Sequence, residues 1–340
     1  MTNVAVVILN FNGEKLLAQF LPSVMEHSGR AKVIVVDNGS SDGSLTLIEE
    51  KFPAIQIIAF KQNLGFCGGY NEALKLITEP IVVLLNSDVE VTANWLKSPV
   101  QLFDRDVNIV AIQPKILAQK NKTHFEYAGA GGGFIDLMGY PYCRGRMFNT
   151  LEQDNGQYND QTSVFWASGA CLFIRREKYL EAGGLDADFF AHMEEIDLCW
   201  RLHRLGHQVW YDGHSTVYHI GGGTLTKGSP RKTFFNFRNG LTLLVKNLPP
   251  GELKWKLPLR LVLDWAAALN FLVNGFGGSA WAVLRAHYNF IRGLTKDMKK
   301  RKALKQLGFY VAPDLIRQKM IVVDYFLRGK RTFTEIKNPR

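Results

Sequence analysis

The sequence predicts an α/β fold, with a mostly parallel central sheet flanked by helices and a helical, basic C-terminal extension. Three observations predict it. Short, β-branched apolar runs alternate with segments of helical spacing through the first half of the chain. Those runs are apolar throughout, as strands covered on both faces are. Beyond "NLPPGE", 247–252, long helix-like apolar stretches alternate with basic ones.

The first strand is expected at 4–9, in "MTNVAVVILNFNG", which lacks the basic flank and cleavage site of a signal peptide. Leu16, Leu17, Phe20, Leu21 and Val24 follow at helical spacing. Further strands are expected at 33–37, 55–59, 81–85 and 107–112. The Gly-rich "YAGAGGGFIDLMGYPYCRGR", 127–146, predicts loop or hairpin, and a second dense block runs from "FWASGACLFI" to "YHIGGGT". A boundary near residue 248 divides a catalytic domain, 1–248, from the extension, 249–340.

The 340 residues are 46% hydrophobic, enough for a substantial core. Cys67, Cys143, Cys171 and Cys199 are far apart and form no CxxC pair. They read as reduced thiols of a cytosolic protein, against a disulfide framework or structural zinc. Net charge is +10, but residues 250–340 carry 18 Lys and Arg against 6 Asp and Glu, whereas residues 1–249 carry 23 against 25. The positive excess therefore belongs to the extension, which suggests phosphates on a nucleic acid or a membrane surface. No RNA-binding aromatic signature favours nucleic acid.

In parallel α/β sheets, ligands bind beyond the carboxyl ends of the strands. Asp37 ends the strand in "VIVVDNGSSDGS" at such an edge. Neither GxxxxGK[ST] nor a GxGxxG after the first strand is present, and "GAGGGF" lacks the last glycine. A nucleotide bound here needs another neutralising group, for which a divalent metal is the usual choice. "IVVLLNSDVEV" ends in Asn86-Ser87-Asp88. Asp88 can hold a metal and Asn86 sugar hydroxyls, or the three can form a hydrogen-bonded turn.

"VVILNFNG", "VIVVDNGSSDGS", "NLGFCGGYN", "VVLLNSDVEV", "FFAHMEEIDLCWRLHRLGHQVW" and "YHIGGGT" occur in this order. Together they resemble family-2 glycosyltransferases of the GT-A nucleotide-sugar fold, and most of all their bacterial rhamnosyltransferase-like branch, over residues 3–245. The resemblance implies inverting transfer of one sugar, with rhamnose favoured, from a dTDP- or UDP-sugar to a glycan or lipid-linked acceptor in surface polysaccharide assembly. It assigns Asp37 to the base and ribose, and Leu9, Phe11 and Asn12 to the base. Asn63, Gly68 and Asn71 fall in the donor loop. "NSD" stands where the family carries a DxD-type motif, so Asn86 replaces the first carboxylate. Ser87 and Asp88 remain on the donor side. Asp88 and His219 are the implied ligands of Mg²⁺ or Mn²⁺.

Glu195 takes the place of the catalytic base, as Glu where Asp is more frequent, and Glu194 beside it faces the acceptor. Trp166 is a candidate platform for the acceptor sugar, with Ser168 and Gly169 as its floor. Arg231, Lys232 and Arg238 are candidates for the donor diphosphate or a phosphorylated acceptor, Arg238 foremost for the donor. Each feature has a plainer reading: an Asx-turn for Asp37, macrodipole compensation for the acids, core burial for Trp166, a solvated basic face for the arginines. Two other functions fit less well: a processive synthase, for which QxxRW and membrane spans are missing, and a non-catalytic sugar or nucleotide binder with a basic tail. The apolar stretch 257–284 is interrupted by Arg260, Asp264, Asn270 and Asn274. It predicts helices packed on the domain or lying in a membrane interface, not a span. The expected location is the cytoplasm, peripherally on the inner face of the membrane.

Overall fold

The computed structural model describes residues 3–221, 229–309, 311 and 315–336. Gly222, Gly223 and Thr224 of "YHIGGGT" lie outside the described residues. The chain begins β1 (Val4–Asn10), α1 (Glu14–His27), β2 (Lys32–Asp37), α2 (Ser44–Lys51), β3 (Gln56–Ala59), α3 (Gly65–Leu76) and β4 (Ile81–Asn86). Next come β5 (Val89–Val91), α4 (Lys97–Arg105), β6 (Ile109–Ala118) and β7 (Asn121–Phe125). A run of short strands follows: β8 (Gly133–Asp136), β9 (Pro141–Cys143), β10 (Arg146–Met147), β11 (Thr150–Leu151) and β12 (Gln161–Ser163). Then come β13 (Cys171–Arg175), α5 (Arg176–Glu181), α6 (Glu194–Arg204), β14 (Gln208–His219) and α7 (Pro230–Asn247). The chain closes with α8 (Pro250–Val273), α9 (Gly277–Ala303) and β15 (Ile316–Arg317).

The main sheet is ordered β12-β14-β6-β13-β4-β1-β2-β3. The set β4-β1-β2-β3 is parallel, as expected of apolar strands joined by helices. The expected strands at 4–9, 33–37, 55–59 and 81–85 are these four. The strand at 107–112 begins two residues late and runs on to Ala118. β13 interrupts the parallel set, being antiparallel to both β4 and β6. Helix α1 covers one face, burying Leu17, Leu21 and Val24 with Val6, Ile8, Val35 and Val83. On the other face α3 and α6 bury Tyr70, Leu74, Ile196 and Leu198 with Val7, Val36 and Leu84. The four cysteines are buried and unpaired.

The Gly-rich stretch forms a second sheet, β11-β10-β9-β8-β15. Gly133 is required there, because a Cβ would sit 2.1 Å from the Trp166 indole. The sheet's last strand comes from near the C-terminus: β15 pairs with β8, and the Phe333 ring packs on Phe134 and Tyr142. Asp136 accepts hydrogen bonds from the backbone of Met138, Tyr140 and Ile321, so one carboxylate joins both segments.

The break near residue 248 falls between α7 and α8, and α9 returns to pack along α7. Helix α8 is inside out. It buries Lys256, Arg260 and Asp264, and leaves Val262, Trp265, Leu269, Leu272 and Val273 exposed. Its inward charges are matched: Arg260 pairs with Asp264 at 3.0 Å, and Asp264 with His287 of α9 at 3.2 Å. No helix among the described residues is long and apolar enough to cross a membrane.

Candidate active site

The strand register brings the first candidates to one edge. Asn10 is aligned with Asp37, and Leu9 with Asn86, so β1, β2 and β4 end together. The Asp37 carboxylate accepts from Asn10 Nδ2 at 3.2 Å and from the Ser40 amide at 3.0 Å. Ser40 Oγ in turn accepts from the amide of Asn12, at 2.9 Å. Asn12 holds a positive φ of 50° with its Oδ1 on the Ser41 amide, and the neighbouring Phe11 ring is exposed. Asp37 thus makes a turn contact and still has acceptor capacity left, since a carboxylate accepts at about four lone-pair sites. At the start of α2 it is Asp42, not Asp37, that accepts from the Ser44 amide.

In the next loop, Asn38 donates to Asn63 Oδ1 at 3.0 Å and accepts from the Leu64 amide, which fixes the entrance to α3. Gly68 lies in its first turn, where a Cβ would crowd Leu64. Leu9 packs against Gly69. The side chain of Asn71 donates to the Leu185 carbonyl and accepts from the Tyr179 hydroxyl and the Leu185 amide. It ties α3 to the loop before α6.

Ser87 and Asp88 form the turn between β4 and β5, and the backbone N–H of Asn86, the last residue of β4, donates to the Ala170 carbonyl. β14 pairs antiparallel with β5, which sets its last residue, His219, opposite Val89. His219 Nε2 lies 3.1 Å from Asp88, and Nδ1 lies 3.3 Å from Glu126. Burial disfavours the imidazolium, but the two carboxylates outweigh it and hold His219 up at about 10. Glu126, missed in the sequence, is buried and also accepts from the Ala128 amide. Among the described residues no group of three His, Cys, Asp or Glu converges as a metal site. Asp88 and His219 nonetheless supply an oxygen and a nitrogen donor side by side. A carboxylate on the far ring nitrogen is the usual support of a metal-ligating imidazole. Among the described residues these two could hold a divalent cation, the imidazole giving up its proton to bind it.

Helix α6 begins at Glu194 after a contorted approach, with Phe190, His192 and Met193 all at positive φ. Such conformations cost about 1–3 kcal/mol each and persist only when the surroundings impose them. The imposing groups are on α7. Arg238 donates to the carbonyls of Asp188 and Phe189, and Asn239 Nδ2 to those of Phe189, Ala191 and His192. The guanidinium of Arg238 therefore shapes the loop. Ion pairs add to the clamp. Lys246 joins Asp186 at 2.6 Å and Asp197 at 2.8 Å, and Lys300 of α9 joins Asp186 and Asp188.

This loop delivers Glu194 and Glu195 to the end of the sheet. A Cβ on Gly169 would lie 4.0 Å from that of Glu195 and 3.6 Å from the Phe66 ring. Glu194 Oε2 and Glu195 Oε2 have no hydrogen-bond partner among the described residues. Burial holds both carboxyls above the usual range, and Glu195 raises Glu194 further. His192 is kept neutral, pushed down to about 4 by burial and by Lys232. Ser168 is buried, its amide on Gln113 and its Oγ on the Ala170 amide. One expectation is corrected: Trp166 is no platform for a sugar. It is buried against Gly133, with Nε1 donating to the Phe134 carbonyl.

Residues 5–182 match the family Glycosyl transferase family 2. The chain is 24% identical over 290 residues to the N-acetylglucosaminyl-diphospho-decaprenol L-rhamnosyltransferase of Mycobacterium tuberculosis, covering 79% of this chain and 92% of the relative. It is 24% identical over 211 residues to the low-salt glycan biosynthesis hexosyltransferase Agl10 of Haloferax volcanii, covering 60% and 62%. Among solved structures, S. aureus TarS 1–349 in complex with UDP-GlcNAc superposes with a TM-score of 0.57 at 13% identity, over 90% of this chain and 91% of that one. The mannosyltransferase PcManGT of Pyrobaculum calidifontis, in complex with GDP-Man and Mn²⁺, does so with a TM-score of 0.51 at 15% identity, over 90% and 85%. These likenesses agree with the GT-A architecture, and the matched family settles the class: the chain belongs to glycosyl transferase family 2 and is a glycosyltransferase using a nucleotide sugar.

Proposed function

We propose that the enzyme transfers one sugar, with inversion, from a dTDP- or UDP-sugar to a lipid-linked glycan acceptor in surface polysaccharide assembly, with rhamnose the favoured sugar. The observation that carries the reading is the pair of buried carboxyls Glu194 and Glu195, each with one oxygen unpartnered among the described residues, with Glu195 beside Gly169 at the strand edge. The mycobacterial relative, whose name specifies rhamnose transfer to a diphospho-decaprenol acceptor, supports the choice of sugar and acceptor.

In this mechanism the acceptor hydroxyl oxygen bonds to the anomeric carbon. The bond from that carbon to the diphosphate oxygen breaks, and its electron pair leaves with the nucleoside diphosphate. The hydroxyl proton passes to Glu195, whose burial raises its basicity. Glu194 is held more firmly protonated beside it and can donate to an acceptor oxygen. Asp37 and the Asn12 turn hold the base and ribose. Asp88 and His219 would hold a divalent Mg²⁺ or Mn²⁺, which neutralises charge on the leaving diphosphate when bound. Glu126 orients the imidazole. The catalytic region is 1–248, and the extension 249–340 attaches the enzyme peripherally to the inner face of the membrane.

A thermal-shift panel of nucleoside diphosphate sugars, with and without Mn²⁺ or Mg²⁺, tests the donor. The true donor raises the melting temperature by linkage. A panel with no shift sinks the reading. Release of nucleoside diphosphate on turnover separates an enzyme from a binder, and one sugar per acceptor separates it from a processive synthase.

A further inference from the structure

A groove of about 450 Å³ lies between the first turns of α7 and α9, away from the Asp37 and Asp88 edge. Its walls are Phe234, Phe235 and Trp281, and its rim carries Arg231 and Arg285. Both arginines are exposed. Among the described residues neither is ion-paired; each rests on a ring, Arg231 at 5.6 Å from the Phe190 centroid and Arg285 at 5.6 Å from that of Phe234. Nearby Lys246, Lys296 and Lys300 are matched by carboxylates, whereas among the described residues these two guanidiniums meet only rings. An aromatic trough with two unmatched guanidiniums suits a ligand that is apolar along its length and doubly anionic at one end.

The groove is continuous with two other features. The Phe190 ring, four residues before Glu194, stacks on Phe235 at 5.1 Å and 14°. Trp281 on the groove wall is exposed, as is Phe276 just before α9. Arg231, resting on Phe190, sets the anionic end of such a ligand near the loop that carries the carboxylates, with its apolar part along Phe234, Phe235 and Trp281. We propose that this groove binds the isoprenoid diphosphate portion of the acceptor, with Arg231 and Arg285 on the diphosphate and Phe234, Phe235 and Trp281 against the first isoprene units. The proposal rests on the lipid-linked acceptor of the preceding section and assigns it a site.

The test is calorimetric titration of the full chain with farnesyl diphosphate, a soluble isoprenoid diphosphate, alongside inorganic diphosphate and phosphatidylglycerol vesicles. Farnesyl diphosphate is expected to bind the wild type. R231Q/R285Q should weaken it about tenfold or more, as loss of charged hydrogen bonds does. W281A should weaken farnesyl diphosphate but not inorganic diphosphate. In both variants the melting-temperature shift from the nucleotide sugar should be unchanged. Four results overturn the proposal: no binding to the wild type, equal binding by R231Q/R285Q, inorganic diphosphate binding as tightly as farnesyl diphosphate, or phosphatidylglycerol displacing it equally well, which would mark a general anionic-lipid surface. Loss of the nucleotide-sugar shift in R231Q/R285Q would assign the arginines to the donor and overturn it too. If no nucleotide sugar shifts the wild type while farnesyl diphosphate obeys the variants, the donor reading fails and the groove stands.

Discussion

Glu195 and Asp88 carry the sharpest consequences at the level of single residues. Glu195→Gln keeps the size and hydrogen-bonding shape of the side chain but cannot take the acceptor proton. Transfer is expected to fall by about 10²-fold or more while the donor-induced thermal shift survives. Near-normal turnover would move the base to Glu194. Asp88→Ala removes the oxygen donor beside His219 and should weaken donor binding mainly when Mn²⁺ or Mg²⁺ is present. Glu126→Gln leaves both donors in place but removes the charge that orients the imidazole. Its expected cost is about 10- to 100-fold in affinity for Mn²⁺, measured by titration of the metal alone. Activity of the wild type that survives a chelator would mean that Asn86, where the family carries an acid, marks a metal-independent enzyme. Glu126 could not have been found from local pattern. It follows a short strand in a polar stretch, and its meaning comes from His219, which only the β14 pairings bring to it.

At the level of elements, the loop before α6 is held by charge from two later helices. Burial opposes ionisation of Asp186, but Lys246 and Lys300 more than compensate and hold its carboxyl well below the usual range; Asp188 is lowered in the same way by Lys296 and Lys300. A depressed folded-state value means that the stabilisation is present above about pH 4 and is lost as pH falls through and below it. Asp186→Asn should therefore destabilise the protein at pH 7 by about 2 kcal/mol or more, the cost of leaving buried Lys246 short of a partner. The difference from wild type in denaturant unfolding should shrink on acidification toward pH 3. A gap that stays constant with pH would show that the aspartate acts by shape alone. The parallel strands and the edge residues Asp37 and Asp88 were legible in the sequence, because apolar runs and turn chemistry are local signals. The second sheet was legible only as a loop or hairpin. Its strands are two to four residues long, and its closing strand lies far off in the chain. Trp166 and Asn71 sit in conspicuous motifs, yet their contacts with Phe134 and Leu185 serve the packing.

The whole molecule has an outer surface that its fold alone does not explain. Helix α8 turns its ionic residues inward and its apolar ones outward, at the three- and four-residue spacings of one helix face: Val262, Trp265, Leu269, Leu272 and Val273. Phe276 at the turn, and Trp281, Tyr288 and Ile291 on α9, extend the exposed set. A monomer in water rarely leaves so large an apolar face uncovered. With Trp and Tyr among the exposed residues and cations at Lys254, Arg285 and Arg292, the hairpin has the composition of an element that lies in a membrane interface. Burying a large apolar side chain contributes roughly 1.5–3 kcal/mol, and a basic side chain near an anionic surface about 1 kcal/mol. The basic end of α9 offers less than its sequence promises, since Lys300 pairs with Asp186 and Asp188 and Arg301 bonds the Val245 carbonyl. The apolar face should therefore dominate. In vesicle co-sedimentation, L269S/V273S/F276S should lose most of its binding to both anionic and neutral vesicles. K299Q/K302Q/K305Q should lose only the part that salt also removes, because surface charge is screened within about 10 Å at 0.1 M salt. Binding by the serine variant equal to wild type would refute insertion of this face. Binding abolished by salt alone would leave charge as the anchor.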